Sequence, residues 1–195
     1  MEWHLKAADH AHANDQIDVN LLYRSGKGGP AVYSQDLEVI LNYLPHNSLN
    51  LPFNRVRDCG AQALAKALKN NLTLTTLNLY STSIGEDVAL ALSETLKTNL
   101  ALTTLDLGYT WTGVNGAQAL SEALKFNSTL NTLKLAGNLI GSDGAQALAE
   151  ALKASSTLAT LSLDSNSIGN HGAHALSEAL SKANFSLTTL TLETT

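Results

Sequence analysis

Leucines recur along the chain at a fixed spacing. The pattern Leu-x-x-Leu-x-Leu occupies residues 102–107, and further copies begin at positions 74, 130, 158 and 187. Successive copies therefore start 28, 28, 28 and 29 residues apart, and a weaker copy lies at 46–51. A period of about 20 to 50 residues is the signature of a solenoid. We therefore predict one elongated domain in which each repeat contacts mainly its neighbours.

Each repeat combines a short strand with a helix. Apolar and polar side chains alternate in residues 76–80, which predicts a strand that buries Leu77 and Leu79. The second half of each repeat has apolar residues at the helical spacing i, i+3, i+4, i+7. In the repeat that begins at residue 130, these residues are Ala145, Leu148, Ala149 and Leu152. Because no repeat can bury both faces alone, the strands must stack into a parallel sheet with the helices on its other side.

The two ends of the chain depart from the repeat. Residues 1–45 are expected to form an N-terminal segment and a degenerate capping repeat, in which Ile17, Val19 and Leu21 alternate as in a strand. Residues 46–195 hold the repeats of 28–29 residues, and the last repeat is truncated after its strand. Because an unpaired edge strand favours association, we also expect self-association through the open C-terminal end.

Residues 130–148 carry the most specific motif, L-x-x-L-x-L-x-x-N-x-I-G-x-x-G-A-x-A-L. This motif resembles the ribonuclease-inhibitor type of leucine-rich repeat and is similar to the repeats of cytosolic nucleotide-binding immune receptors. The resemblance implies an α/β leucine-rich repeat solenoid, a horseshoe arc with the parallel β-sheet on the concave face and the α-helices on the convex face. It also implies a protein-binding role and no catalytic activity.

Threonines interrupt this motif in two repeats. Thr82 and Thr110 stand where Asn138 supplies the turn in the regular motif, and Thr112 replaces the buried isoleucine. The repeat that begins at residue 102 is therefore expected to be the least regular.

Composition excludes several classes of partner. A net charge of −5 argues against nucleic acid, which requires a basic face. No run approaches the roughly 18 apolar residues of a membrane span, and the N-terminus does not resemble a signal peptide. A single cysteine, Cys59, cannot form an internal disulfide. Together these features predict a cytoplasmic protein that binds neither nucleic acid nor membrane.

Large and charged side chains at the strand ends mark the candidate partner-binding site. Aromatic residues and arginine dominate binding energy at interfaces, and here they replace the serine and glycine of other repeats. Alternative structural roles are that Trp111 folds back into space left by Thr112, or that Phe53 covers the cap. The candidate residues are Phe53, Arg55, Tyr80, Asp106, Tyr109, Trp111, Lys134, Leu139 and Asp164.

No residue pattern indicates catalysis, a cofactor or a metal. No nucleophile–base or acid–base pair stands out, so we predict that the protein is not an enzyme. His171 and His174 share a helix face but have no companion ligand at a recognisable spacing. Asn71, Asn127 and Asn184 each begin a glycosylation sequon, but all three lie at one repeat position where we expect them to serve the turn.

The main functional hypothesis is a non-catalytic module that binds a protein partner through the concave face and its loop rim. One alternative is a regulator of a small GTPase, similar to GTPase-activating proteins with this repeat type, in which Arg55 or Arg24 would reach the nucleotide. Another is a structural or sensing fragment of a larger receptor.

Overall fold

Seven parallel strands form one sheet, in chain order, within the residues that the structure describes. The structure is a computed structural model that describes residues 17–18, 47–53, 57–82, 84–182 and 186–193. The strands are β1 (Ile17–Asp18), β2 (Ser48–Asn50), β3 (Thr76–Asn78), β4 (Thr104–Asp106), β5 (Thr132–Lys134), β6 (Thr160–Ser162) and β7 (Thr189–Thr191). The helices that separate the strands from β2 onward are α1 (Arg57–Leu68), α2 (Glu86–Leu96), α3 (Gly113–Leu124), α4 (Gly141–Ala154) and α5 (Gly169–Lys182).

The strands pair in the register that the leucine period predicts. Leu77 lies opposite Leu105, and Leu105 lies opposite Leu133, so equivalent residues of successive repeats are neighbours. These three leucines are fully buried, whereas the threonine beside each faces outward and is partly exposed. The predicted α/β leucine-rich repeat solenoid is therefore confirmed. Strands are about 4.8 Å apart and packed helices about 8–10 Å apart, so the stack must curve with the sheet on its concave face.

Small side chains let the helices pack closely on one another. The four stripe residues of α4 are fully buried between α3, α5 and the sheet. In α5 the same stripe is only partly covered: Leu176 is buried, but Ala173 and Ser177 are exposed. Within the described residues no later helix packs against α5, which explains the difference.

In two repeats a buried asparagine links the strand-to-helix loop to the loop before it. The Nδ2 group of Asn138 donates to the carbonyl of Leu107, 2.6 Å away in the preceding repeat. Its Oδ1 atom accepts hydrogen bonds from the backbone N–H groups of Thr110 and Thr112, at 2.9 and 3.1 Å. Asn166 makes equivalent bonds to the Asn138 loop. The side chain of Asn138 thus bonds buried backbone groups of the preceding repeat that water cannot reach.

The opposite edge has a second row of asparagines, at the helix-to-strand loops. The Nδ2 group of Asn127 donates to the carbonyls of Leu96 and Asn99, and its Oδ1 accepts the N–H groups of Thr129 and Leu130. Only 6% of Asn127 is exposed. The interpretation that this sequon serves the turn is confirmed. The Asn127 side-chain amide is buried and hydrogen-bonded through both its nitrogen and its oxygen, so it cannot carry a glycan.

The threonines that replace the turn asparagine do not reach the preceding repeat. The hydroxyl of Thr110 donates to the carbonyl of Leu107 at 2.7 Å, and Thr82 donates in the same way to Leu79 at 2.6 Å. Each of these bonds lies within one repeat, although the Thr110 hydroxyl also lies 3.2 Å from Oδ1 of Asn138 in the next repeat. Thr112 is fully buried and shares a hydrogen bond with Thr110.

Most of the N-terminal segment lies outside the described residues, and with it the predicted capping repeat. The exception is β1, where Ile17 lies opposite Leu49 in parallel register. No helix among the described residues has the length and apolarity that crossing a membrane requires.

Replacing the bridging asparagine should destabilise the stack. Asn138→Ala would leave two buried N–H groups unpaired and would remove one of the two hydrogen bonds to the Leu107 carbonyl, at a cost of about 2–4 kcal/mol in the free energy of unfolding. Asn131→Ala is the matched control, because Asn131 is exposed on the same repeat. Urea unfolding followed by circular dichroism would measure both variants. Equal stability of the two variants would contradict the bridging role.

Candidate functional site

The loops after β2, β3, β4, β5 and β6 adopt an unusual backbone conformation. Phe53 and Tyr109 have positive φ values of 59° and 55°, and Ser81 and Ser165 have 54° and 56° at the same repeat position. Non-glycine residues rarely adopt this left-handed region. It is maintained here because each of these N–H groups donates to a carbonyl of the next repeat, as from Tyr109 to Ala136 at 2.7 Å. The loop therefore projects its side chains in a similar direction in the five repeats that contain β2 to β6.

Three aromatic rings contact one another along this edge, and we call Phe53, Tyr80 and Tyr109 the aromatic row. The ring centroids of Phe53 and Tyr80 are 5.4 Å apart with the planes inclined at 73°. The Tyr80 and Tyr109 centroids are also 5.4 Å apart, and their planes are inclined at 65°. This edge-to-face arrangement stabilises an aromatic pair by about 0.5–1.5 kcal/mol beyond its burial. The row thus crosses three successive repeats.

Glycines in the following repeat make room for the two tyrosines. A Cβ atom on Gly108 would lie 2.8 Å from Cδ2 of Tyr80, and one on Gly137 would lie 2.5 Å from the Tyr109 ring. The backbone alone does not require glycine at position 137, since Ser81 and Ser165 occupy its repeat position with similar φ values. Gly137 is needed because the Tyr109 ring lies directly over it.

The apolar side chains of this edge are strongly exposed. Phe53 is 72% exposed, Trp111 65%, Leu139 60% and Tyr109 45%. The alternative in which Trp111 fills space left by Thr112 is wrong, because Trp111 points to solvent and Thr112 is bonded to Thr110. Trp111 and Leu139 occupy equivalent loop positions in successive repeats, 28 residues apart, with φ values of 64° and 55°.

Asp106 and Lys134 lie opposite one another on the sheet face. Oδ1 of Asp106 accepts the Gly108 N–H at 3.0 Å, and its Oδ2 lies 3.4 Å from Nζ of Lys134. The Asp106 side chain is 12% exposed and the Lys134 side chain 49%. Asp106 thus closes a turn within its own repeat, and Lys134 is the more accessible partner of the ion pair.

Asp164 joins β6 to β7. Its Oδ2 accepts the hydroxyls of Thr191 at 2.5 Å and Ser162 at 2.8 Å, and its Oδ1 accepts the Glu193 N–H at 2.8 Å. Burial raises the pKa of the Asp164 carboxyl, but the bonds from Thr191, Glu193 and Ser162 outweigh it and hold the pKa below its usual value. Asp164 is therefore a fixed negative charge on this part of the face.

Arg55, the remaining predicted site residue, lies outside the described residues, as does Arg24. The structure therefore brings Phe53, Tyr80 and Tyr109 into contact and places Trp111 and Leu139 on the same edge. Asp106 and Lys134 form a separate pair on the sheet face, and Asp164 contacts the last strand.

A second exposed apolar row escaped the sequence interpretation. Leu72, Leu100 and Phe126 lie at the helix-to-strand loops of successive repeats and are 74%, 64% and 70% exposed. The sequence contains a pattern that could have predicted this row. Leu72 and Leu100 share one repeat position, and later repeats carry serine there. Leucines that do not belong to the repeating motif are easily overlooked in a chain with so many that do.

A broad cavity of about 820 Å³ lies on the helical side of the solenoid. Its lining is mostly polar and includes Asp143, Glu150, His171, His174 and Glu178. Across the described part of the chain, no group of three or more His, Cys, Asp or Glu side chains is arranged to hold a metal ion.

Comparisons with known proteins agree on the fold. A family model described as a leucine-rich repeat matches residues 126–149 and 154–177, without naming a subtype. A search of curated proteins found no match. The structure is similar to one titled "Leiomodin-1 Actin-Binding Site 2 (ABS2)", with a TM-score of 0.66 and 23% identity over 79% of this chain and 92% of that chain. It is also similar to the tropomodulin C-terminal domain of Caenorhabditis elegans, with a TM-score of 0.61 and 16% identity over 76% of this chain and 92% of that chain. The chain carries leucine-rich repeats, and these two domains share its fold.

Substitution of Gly137 tests the position of the Tyr109 ring. Gly137→Ala and Gly169→Ala both place a side chain at positive φ, which costs about 1–2 kcal/mol, but nothing lies within 4 Å of a Cβ on Gly169. The ring must move off the new methyl group and give up its contact with Tyr80, which should make Gly137→Ala the more destabilising by about 0.5–1.5 kcal/mol in thermal unfolding. Tyr109→Ser should abolish this excess in a double-mutant cycle. Equal losses for the two glycine variants would show that the ring lies elsewhere.

Acid should weaken the attachment of β7. The pKa of Asp164 is lower in the folded state than in the unfolded state. The ionised Asp164 carboxylate therefore contributes fully to stability above its unfolded-state pKa of about 4. This contribution to stability is lost as the pH falls through the folded-state pKa of Asp164. The difference in unfolding free energy between the unmodified protein and Asp164→Asn should therefore shrink below about pH 4. A difference that stays constant from pH 6 to pH 2 would contradict this assignment.

Proposed function

We propose that this protein is a non-catalytic protein–protein interaction module that binds a protein partner through its concave face and loop rim. The observation that carries this proposal is the exposure of Phe53, Tyr109, Trp111 and Leu139 on one edge of the sheet. Contiguous exposed apolar side chains on an otherwise polar surface mark interaction sites. Aromatic side chains also provide most of the binding energy in typical interfaces.

The loop geometry supports binding without a large entropic cost. The Phe53 and Tyr109 N–H groups are bonded to the next repeat, and Tyr80 and Tyr109 lie on glycines. Side chains that are already ordered lose little freedom when a partner covers them. The proposed partner-binding residues are Phe53, Arg55, Tyr80, Asp106, Tyr109, Trp111, Lys134, Leu139 and Asp164.

The solved structure titled as an actin-binding site of leiomodin-1 makes actin a candidate partner. The 28-residue period with a helix in every regular repeat supports the ribonuclease-inhibitor type of leucine-rich repeat and a likeness to immune-receptor repeats. The single cysteine supports a cytoplasmic protein, and the net charge of −5 supports one that binds neither nucleic acid nor membrane. The GTPase-regulator alternative would depend on Arg24 or Arg55, and no observation on the described residues favours it.

A second proposal is self-association through the C-terminal end. The exposed face of α5 includes Leu180 at 38%, and Leu192 beyond β7 is 37% exposed. Among the described residues β7 pairs only with β6, and its other side would pair with a second copy of the same strand.

Affinity capture from a cell lysate tests the main proposal. The unmodified protein should retain a specific protein that the Tyr109→Ser/Trp111→Ser variant loses, because both rim side chains are removed. Leu72→Ser/Leu100→Ser is the matched control, since it removes two strongly exposed apolar side chains from the opposite edge. Mass spectrometry would identify the retained protein, and purified filamentous actin would be tested directly by co-sedimentation.

Circular dichroism should confirm that all three proteins are folded. Equal capture by the unmodified protein and the rim variant would exclude the rim as the binding site. Loss of capture in the Leu72→Ser/Leu100→Ser variant alone would move the site to the opposite edge.

A further inference from the structure

The side of the solenoid beyond α5 and β7 exposes leucines that the earlier repeats bury. Leu180 is 38% exposed, whereas its equivalent in the preceding repeat, Leu152, is 0% exposed. Leu192 is 37% exposed, whereas its equivalent, Leu163, is 1% exposed. The small or apolar side chains that share this exposure on α5 and β7 form a surface that we call the β7 end: Ala173, Ser177, Leu180, Leu190 and Leu192.

The outer side of β7 also carries backbone groups that the other strands pair. The leucines equivalent to Leu192 each donate their N–H group to a carbonyl of the next strand at 2.8–2.9 Å, namely Leu51, Leu79, Leu107, Leu135 and Leu163. The Thr191 and Glu193 carbonyls accept bonds from the repeat that contains β6. Alternate residues of a strand point to opposite neighbours, so the N–H and C=O groups of Leu190 and Leu192 point away from β6. No strand in the described part of the chain lies on that side.

The β7 strand lacks the features that usually protect a sheet edge. Natural edge strands are blunted by lysine, proline or a bulge. Residues 189–192 read Thr-Leu-Thr-Leu, and the first charged side chain after them is that of Glu193. The α5 side chains of the β7 end are uncharged as well, and two of the three are small. This surface therefore favours contact with another strand and another helix over exposure to water.

A second copy of the same surface fits these groups when the two β7 strands run antiparallel. Identical surfaces that meet face to face are related by a two-fold axis. If that axis is perpendicular to the sheet, the strands are antiparallel and the core leucines of both copies stay on the helical side. If the axis were parallel to the strands, the helices of the two copies would lie on opposite faces of the sheet, and Leu190 of each copy would lose its apolar neighbour. The leucines thus select the antiparallel arrangement.

The outward backbone groups also select the register. Pairing Leu190 with Leu192 of the second copy lets each pair exchange both N–H···O bonds, and the two-fold axis repeats the pair. Thr191 then lies opposite Thr191 of the second copy, and facing threonines form a favourable cross-strand pair. Glu193 lies opposite Thr189 of the second copy, so no like charges face one another. The β7 end is therefore complementary to itself.

We propose that two copies of this protein join at the β7 end, with their β7 strands antiparallel and Leu190 of each copy bonded to Leu192 of the other. The two sheets form one continuous sheet, and the two α5 helices lie side by side behind it. This inference rests on the proposed self-association and specifies its symmetry and register. The aromatic row follows the carboxyl ends of its strands, so the reversal of strand direction places the two rows of the dimer on opposite edges of the joint sheet.

Disulfide cross-linking tests the register. In a Cys59→Ser background, which removes the single native cysteine, Thr191→Cys should form a disulfide-linked dimer under mild oxidation. The Cα atoms of the facing residues would be about 4.5 Å apart, which a disulfide can span. Ser162→Cys is the matched control, because Ser162 lies opposite Thr191 one strand farther from the axis. Its two copies would be about 14 Å apart, or three strand spacings, which is too far for a disulfide.

Sedimentation velocity tests the dimer itself. The unmodified protein should show a monomer–dimer equilibrium. Leu192→Pro removes an outward N–H group and leaves the bonds to β6 in place, whereas Leu192→Ala shortens the side chain and keeps the N–H group. Leu192→Pro should therefore dimerise at least about tenfold more weakly than Leu192→Ala. Circular dichroism should show that both variants are folded. Equal dimerisation of the two variants would overturn the proposed backbone pairing.

The remaining outcomes separate this inference from the broader proposals. A dimer that forms without the Thr191→Cys cross-link, or in which Ser162→Cys cross-links equally well, would keep self-association and overturn this register. A monomer at every concentration up to about 1 mM would overturn self-association and this inference together, and would leave the β7 end to a different strand or repeat. The rim proposal is tested separately, since capture that depends on Tyr109 and Trp111 does not require a dimer.

Discussion

Every repeat in this chain depends on hydrogen bonds to its neighbours, because its backbone loops are buried and cannot be solvated. The side chain of Asn138 shows how this is achieved: one amide bonds the Leu107 carbonyl and the N–H groups of Thr110 and Thr112 in the preceding repeat. A buried group without such a partner costs about 1–3 kcal/mol. The leucine core supplies the driving force for stacking, and these bonds fix the register in which the repeats stack.

The same constraint creates the candidate site. Bonding to the next repeat requires the loop to pass through positive φ values, and this conformation directs Phe53 and Tyr109 away from the core. Regular repeats place serine or glycine there. When a repeat carries an aromatic residue instead, the ring cannot enter the core and lies across the edge, against the next ring or over a glycine such as Gly137. Exposure of these rings follows from the fold rather than from local flexibility.

Much of the fold could be predicted from the leucine period, whereas the site could be predicted only in part. A repeat of 28 residues determines which residues pair, so the register of Leu77 with Leu105 followed directly. The sequence placed Trp111 on the rim but left open that it folds back into a gap beside Thr112, and its exposure and the hydroxyl pair of Thr112 with Thr110 remove that alternative. Asp164 was correctly placed on the sheet face, but its bonds to Thr191 and Glu193 depend on a strand 27 residues later. Burial of the α5 stripe also depends on a neighbouring helix and could not be judged from α5 alone.

Nuclear Overhauser contacts between the aromatic rings would test the central claim most directly, since they report whether stacked repeats bring these side chains together. At a centroid separation of 5.4 Å, ring protons of Tyr80 should show cross-peaks to both Phe53 and Tyr109. The α protons of Gly108 and Gly137 should show cross-peaks to the Tyr80 and Tyr109 rings, respectively. A folded protein in which these rings give cross-peaks only within their own repeats would contradict the account.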